Sequence, residues 1–402
     1  MKARWPSMLT PDYLMGASQE VVNIFAQVED DILDDIVRRI MKTGVVTDTA
    51  MWQIERAREF AFFSSDVSSM LAQATGKSKK EIDKLLSDAA TRSLRYDDEI
   101  YKRAGLRIPP IDQSPALKAV LLQGRDATLT LVENLTKTAG RSARVKFYSV
   151  TDRAFLQIMT GAFDYNTALR NAVKELARHD VLTVDYASGA KTSIEAATRR
   201  AVMTSVNQAT SKLQIARAED VGSDLVETTS HAGARPSHAV WQGQVFSLSG
   251  KSRQYRNFYD ETGYGSGDGL CGWNCYHNFY PFFEGLSLRS FDRDPSKKAG
   301  RDNDTDYENK QVQRSYETAV RKAKHECVAY RAAADSAQDP VLKQGFEQDF
   351  TRASVKLKDR EERLKKWVEQ TNSVREKGRE YVPGFNRSVS QKAVWANRKA
   401  KP

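Results

Sequence analysis

The side chains best suited to chemistry gather in one stretch, residues 231–286. It holds His231, His238, Cys271 and Cys275, with His277 close behind, five of the chain's eight histidines and cysteines. Thiolate and imidazole are the usual donors to a tetrahedral zinc ion. Cys271, Cys275 and His277 have chelate-like spacing, and either His231 or His238 could complete the set. The gap between the cysteines is three residues, where a zinc finger prefers two. The cysteines also sit among aromatics (Trp273, Tyr276, Phe279, Tyr280, Phe282 and Phe283), and buried free cysteines behave as small hydrophobes. A metal-free core with hydrogen-bonded histidines is therefore the favoured expectation, with no cofactor, and a structural zinc site the alternative. Catalysis is a third reading: Cys275 with His277 or His231 as nucleophile and base, or His238 with Asp268 as an acid/base pair. The glycine-rich run Gly263–Gly269 is not framed by a strand and a helix, so it is a weak nucleotide loop.

The flanks must position this stretch, and they read as helices. Thr10 and Pro11 open one that carries Ile24, Val28, Ile32, Ile36 and Ile40 to about residue 42, with Gly44 beyond it. A second runs from about 48 to 74 and is closed by Gly76. Ser78 and Glu81 form a capping box that opens a third to about 102. A fourth starts at Ser114 and Pro115 and ends near 138, before a linker AGRSARVKF. Helices at 151–162 and 165–178 precede a short strand and turn around Val181–Tyr186. Ser193 then caps a helix to about 218 whose polar face (Arg199, Arg200, Asn207, Gln208, Lys212 and Arg217) reads as solvated rather than phosphate-binding. Strands are expected at 224–230 and 241–248. After a polar linker, helices at 307–334 and 340–378 carry facing apolar stripes and form an antiparallel hairpin. The last twenty residues are basic, show no clear period and read as a flexible arm.

Composition bounds the function. The chain has 402 residues, 28% of them charged, a net charge of +10 and a mean hydropathy of −0.59, which suits exposed helices better than one large globule. Three cysteines argue against a disulfide framework. No apolar run could serve as a signal peptide or span a bilayer, so a reducing cytoplasm and no membrane partner are expected. Most of the excess positive charge falls after residue 296, which makes that region a candidate for contact with double-stranded DNA. The fold class expected is mainly α, with an elongated helical N-terminal region (1–139), a small α+β module (140–292), a charged helical hairpin (293–381) and a basic tail (382–402).

The runs HAGARPSHAVWQGQVFSLSG and GYGSGDGLCGWNCYHNFYPFFEG closely resemble the signature of tailed-phage minor capsid proteins, the phage minor capsid protein 2 family. That family is similar in layout to the Mu-like head-morphogenesis proteins. The positions that carry the match include His231, Arg235, His238, Trp241, Gly243, Phe246, Gly263, Gly265, Asn274, Cys275, His277, Phe279 and Pro281. The resemblance implies a non-enzymatic structural protein of the phage head. It would act near the portal vertex in assembly and in DNA packaging or ejection, with portal and major capsid proteins as partners. It would lie inside the virion after assembly in the host cytoplasm. The rival is a metal-dependent or cysteine enzyme, a nuclease or transferase, using the His/Cys cluster.

Overall fold

The computed structural model describes residues 8–43, 49–110, 113–186 and 188–400. In chain order the elements are α1 (Pro11–Ala17), α2 (Gln19–Thr43), α3 (Thr49–Arg103), α4 (Pro115–Met159), α5 (Tyr165–Arg178), β1 (Thr183–Asp185), β2 (Lys191–Ser193) and α6 (Ile194–Asp220). Then come β3 (Leu225–Thr228), α7 (Pro236–Ala239), β4 (Val245–Ser247), α8 (Phe258–Thr262), β5 (Phe279–Pro281) and α9 (Pro295–Lys298). The chain closes with α10 (Asn303–Ser336), α11 (Pro340–Thr371) and α12 (Arg387–Ala400). The protein is mainly α with a small α+β module, as its periodicity indicates.

Helix starts follow local chemistry. The Thr10 hydroxyl accepts from Tyr13 N, the Asp164 carboxylate from Thr167 N and the Asp339 carboxylate from Leu342 N, each satisfying a first-turn N–H that has no partner within its helix. Two expected breaks are absent. α3 runs through Gly76 and Ser78, and α4 runs through AGRSARVKF. A helical glycine costs only about 1 kcal/mol relative to alanine. The stripe Phe63, Val67, Leu71 and Ala74 before Gly76 and the stripe Ile82, Leu86, Ala89 and Leu94 after it are buried, and that burial outweighs the cost. In α4 the supposed linker supplies Ala139, Ala143 and Phe147 to a buried stripe that continues through Val150 and Ala154. A Cβ on Gly140 would lie 2.8 Å from Leu71 Cδ1, so the small residue there allows α3 and α4 to approach closely. Gly44 lies outside the described residues.

Contacts divide the chain into two compact units. The first draws on Met1–Val21, Ser78–Glu133 and Thr198–Gln311, and contains the three-stranded antiparallel sheet in the order β4-β3-β5. Its register pairs Val226 with Phe246 on one side and Glu227 with Tyr280 on the other. The two strands expected around it are shorter than their sequence runs, because Trp241–Gln244 form the turn before β4.

The second unit draws on Val22–Lys77, Asn134–Ala197 and Val312–Pro402. There α10 and α11 form the expected antiparallel pair. Tyr316 packs on Trp367 with ring centroids 5.8 Å apart, and Arg360 donates to Ala319 O at 2.7 Å. α11 ends at Thr371, seven residues earlier than its sequence pattern suggested, with Asn372 as a left-handed cap (φ 48°). Residues 387–400 form α12 rather than an irregular arm; it packs on α11, and its buried face is two alanines, Ala393 and Ala396. A buried polar network ties the unit together. Glu29 accepts from Val181 N (2.9 Å) and Leu182 N (3.1 Å), and Asp30 accepts from Gly384 N (2.6 Å) and pairs with His325 (3.1 Å). Arg321 pairs with Glu195 and lies 3.6 Å from Asp180.

Candidate functional site

The His/Cys stretch folds within the first unit, and the fold brings four of its five predicted ligands together. His231 stacks on His277 with ring centroids 4.4 Å apart, and His238 meets the same ring edge-on at 5.4 Å. Cys275 Sγ lies 3.7 Å from His277 Nδ1. One ligand atom each from His238, Cys275 and His277 falls within a sphere where all are 4.8 Å or less apart, and all three residues are buried. Cys271 points differently: its thiol donates toward His277 O at 3.7 Å.

Each element has a physical reason for its position. Pro236 starts the one-turn helix α7 that carries His238. Gly243, at φ +60°, makes the turn into β4, and a Cβ there would lie 2.5 Å from Asp292 O. Trp241, Phe246, Phe258, Leu270, Cys271, Cys275 and Phe279 form one apolar core beneath the cluster. Pro281, at the end of β5, pairs with Val226 of β3. The glycine-rich loop is a packing device. A Cβ on Gly269 would lie 2.0 Å from Gly263 O, and one on Gly272 would lie 2.5 Å from Gly267 O. Gly263 caps α8, Gly265 turns at φ +96°, and Cys271 and Asn274 adopt left-handed conformations that are uncommon outside glycine. Arg235 donates to Trp273 O at 3.1 Å, which anchors the loop from the α7 side.

Electrostatics set the protonation states. Burial pushes the Cys271 thiol well up and the Cys275 thiol up to about 11. Burial, followed by neighbouring His231 and His238, pushes His277 well below its ordinary range, and burial also lowers His238. Burial therefore favours the neutral thiols of Cys271 and Cys275 and the neutral imidazoles of His238 and His277.

The pairing of His238 with the Asp268 carboxylate does not form. His238 Nε2 meets the Asp268 backbone oxygen at 2.7 Å, while the carboxylate accepts from Ser266 Oγ at 2.9 Å. His231 Nδ1 lies 3.1 Å from Ala232 O. Cys275 and His277 do meet, and each is only 1% exposed. The α6 face read as solvated is revised in part: Gln208 and Lys212 are exposed, but Asn207 and Arg217 are both fully buried. Arg217 pairs with Asp98 at 2.9 Å and donates to Pro109 O at 2.7 Å.

Three amides position the cluster; Asn207 was read from sequence only as part of a solvated face, and Gln214 and Gln242 were not singled out. Asn207 Nδ2 donates to Cys275 O (3.0 Å) and His277 O (2.9 Å), and Gln214 Nε2 donates to Phe279 O (2.7 Å). Gln242 Oε1 accepts the backbone N–H of His231 (3.2 Å) and faces His277 Nε2 (3.1 Å). The signal available for the first two was their one-face spacing on α6 with Thr210 and Ser211, all of which are buried.

Over 200 residues the chain is 28% identical to a structural protein of Lactococcus phage LL-H. The match takes in 47% of this chain and 52% of the relative, so the chain spans about half the length of that protein. The model of the family described as phage minor capsid protein 2 matches residues 9–369, and the chain belongs to that family. No solved structure matches the chain.

Proposed function

We propose that this phage structural protein acts inside the head at or near the portal vertex, binding portal and major capsid proteins during assembly and lying close to packaged DNA. The observation that carries the reading is the family match across residues 9–369. Two surface features support it. In the second unit, Ile54 and Phe62 on α3 and Val145, Leu156 and Met159 on α4 are large apolar side chains left exposed, the kind of surface that a protein partner covers. α12 carries Arg387, Lys392, Arg398 and Lys399 with no acidic residue, so it offers cations to phosphates. Among the described residues no helix is long and apolar enough to cross a membrane.

The role is structural rather than catalytic in this reading. A cysteine nucleophile needs a thiolate and an approach for substrate. Cys275 has a raised pKa, and both it and His277 are sealed in the core. Quantitative mass spectrometry of purified proheads and mature virions tests the assignment. The expected result is a few copies per particle in both, co-purifying with portal when heads are disrupted. Absence from both particles refutes it.

A further inference from the structure

We propose that His238, Cys275 and His277 form a transition-metal site whose resident ion is zinc. This goes beyond the assembly role and does not depend on where the protein sits in the particle. The argument starts from tautomers. The backbone N–H of His231 can only donate, and the side-chain atom of Gln242 that it meets at 3.2 Å is therefore the amide oxygen. That same oxygen faces His277 Nε2 at 3.1 Å, so Nε2 must carry the proton and donate. His277 Nδ1 is then a bare lone pair, and it points at Cys275 Sγ, 3.7 Å away. His238 is fixed in the same way: its Nε2 meets a backbone carbonyl oxygen at 2.7 Å, which accepts and cannot donate. An imidazole whose far nitrogen donates to an oxygen is the usual arrangement of a metal-bound histidine, because the outer hydrogen bond orients the ring and fixes its tautomer.

The spacing agrees. With Zn–S of about 2.3 Å and Zn–N of about 2.0–2.1 Å, a tetrahedral ion places its sulfur and nitrogen ligands about 3.6 Å apart. The observed 3.7 Å between Sγ and Nδ1 matches that edge, and a ligand atom of His238 lies within 4.8 Å of both. One thiolate and two imidazoles form a borderline donor set that suits zinc better than magnesium or calcium. The backbone is held for the purpose as well: Asn207 grips the carbonyls of both Cys275 and His277, so the two ligands are fixed to α6 before any ion arrives. Binding breaks the Cys275 S–H bond, the electron pair goes to the metal and the proton leaves to solvent. Without the ion, the same S–H donates to Nδ1, and this closed hydrogen bond is the competing state.

Cobalt(II) is the probe that separates the two states. The full-length reduced protein is titrated with Co(II), and a second sample is equilibrated with Zn(II) and analysed for metal content after gel filtration. The expected result is near-stoichiometric zinc and, with cobalt, tetrahedral-strength visible bands plus a thiolate-to-cobalt charge-transfer band. Cys275→Ser should lose the charge-transfer band and weaken metal affinity by about 100-fold or more, whereas Cys271→Ser should keep the band. Far-ultraviolet circular dichroism establishes that each variant is folded. Wild-type protein that retains no zinc and shows no charge-transfer band overturns the proposal whatever the variants do. So does a band that survives in Cys275→Ser.

Discussion

Glu29 gives the sharpest test of how the second unit is held together. Its carboxyl is buried, and one oxygen accepts the N–H groups of Val181 and Leu182, joining α2 to the turn before β1. Burial first, and the nearby Asp180 second, raise its pKa from 4.5 to about 7, against the pull of His325 and Arg321. A folded-state pKa above the unfolded one means that the folded unit prefers the protonated acid. The extra stability is fully present below pH 4.5 and is lost as pH rises through about 7. The shift corresponds to about 3 kcal/mol, lost at no more than about 1.4 kcal/mol per pH unit. His325 acts with the same sign: burial opposes its charge, but the Asp30 carboxylate outweighs burial and raises its pKa, so its contribution is also lost as pH rises. Glu29→Gln keeps an acceptor oxygen for the two amides and removes the ionisation. Hydrogen exchange read by mass spectrometry over residues 176–186, corrected for intrinsic rates, measures local opening from about pH 5 to about pH 8. Wild type should lose protection steeply across this window and Glu29→Gln should lose much less, so that the two cross and the variant is the more protected at the alkaline end. Parallel pH profiles for the two proteins would refute the assignment of the buried acid.

Three further outcomes are expected. Asn207→Ala removes the amide donor shared by the buried carbonyls of Cys275 and His277, and thermal unfolding should show a loss of about 1–3 kcal/mol; an unchanged midpoint would mean that α6 does not hold the loop. Gly269→Ala places a Cβ 2.0 Å from Gly263 O, and the cost should lie at or above the upper end of the about 1–3 kcal/mol typical of overpacking, seen as lost near-ultraviolet dichroism from the aromatic core. DNA binding measured by filter retention across a salt series should weaken steeply with salt, and replacing Lys392, Arg398 and Lys399 of α12 by Gln should flatten the log–log slope by about 0.9 per phosphate contact removed; a flat response in wild type excludes phosphate contact.

What the sequence revealed follows from which forces leave a periodic trace. The α10–α11 hairpin was legible because its stripe uses large residues, Phe346, Phe350, Leu357 and Leu364, all buried as the spacing implied. The middle of α4 was not, because its buried stripe begins with Ala139, Gly140 and Ala143, small residues that allow close helix approach and read as a linker. α12 was missed for the same reason, since Ala393 and Ala396 are its whole buried face. The grouping of His231, His238, Cys275 and His277 was visible as composition. Which of them converge was not, because the outcome depends on hydrogen bonds from Asn207 and Gln242 that lie far away in sequence or look like ordinary polar residues. The network of Glu29, Asp30, Glu195 and His325 left no motif at all: its members come from three helices separated by long stretches of chain.

The measurement that bears most directly on the central claim is an asymmetric cryo-electron microscopy reconstruction of the phage head, with the two units fitted separately into density at the portal vertex. The account predicts density for this chain on the inner side of that vertex, touching portal or neighbouring capsid subunits. Density on the outer capsid surface or in the tail, with none at the vertex, would contradict it.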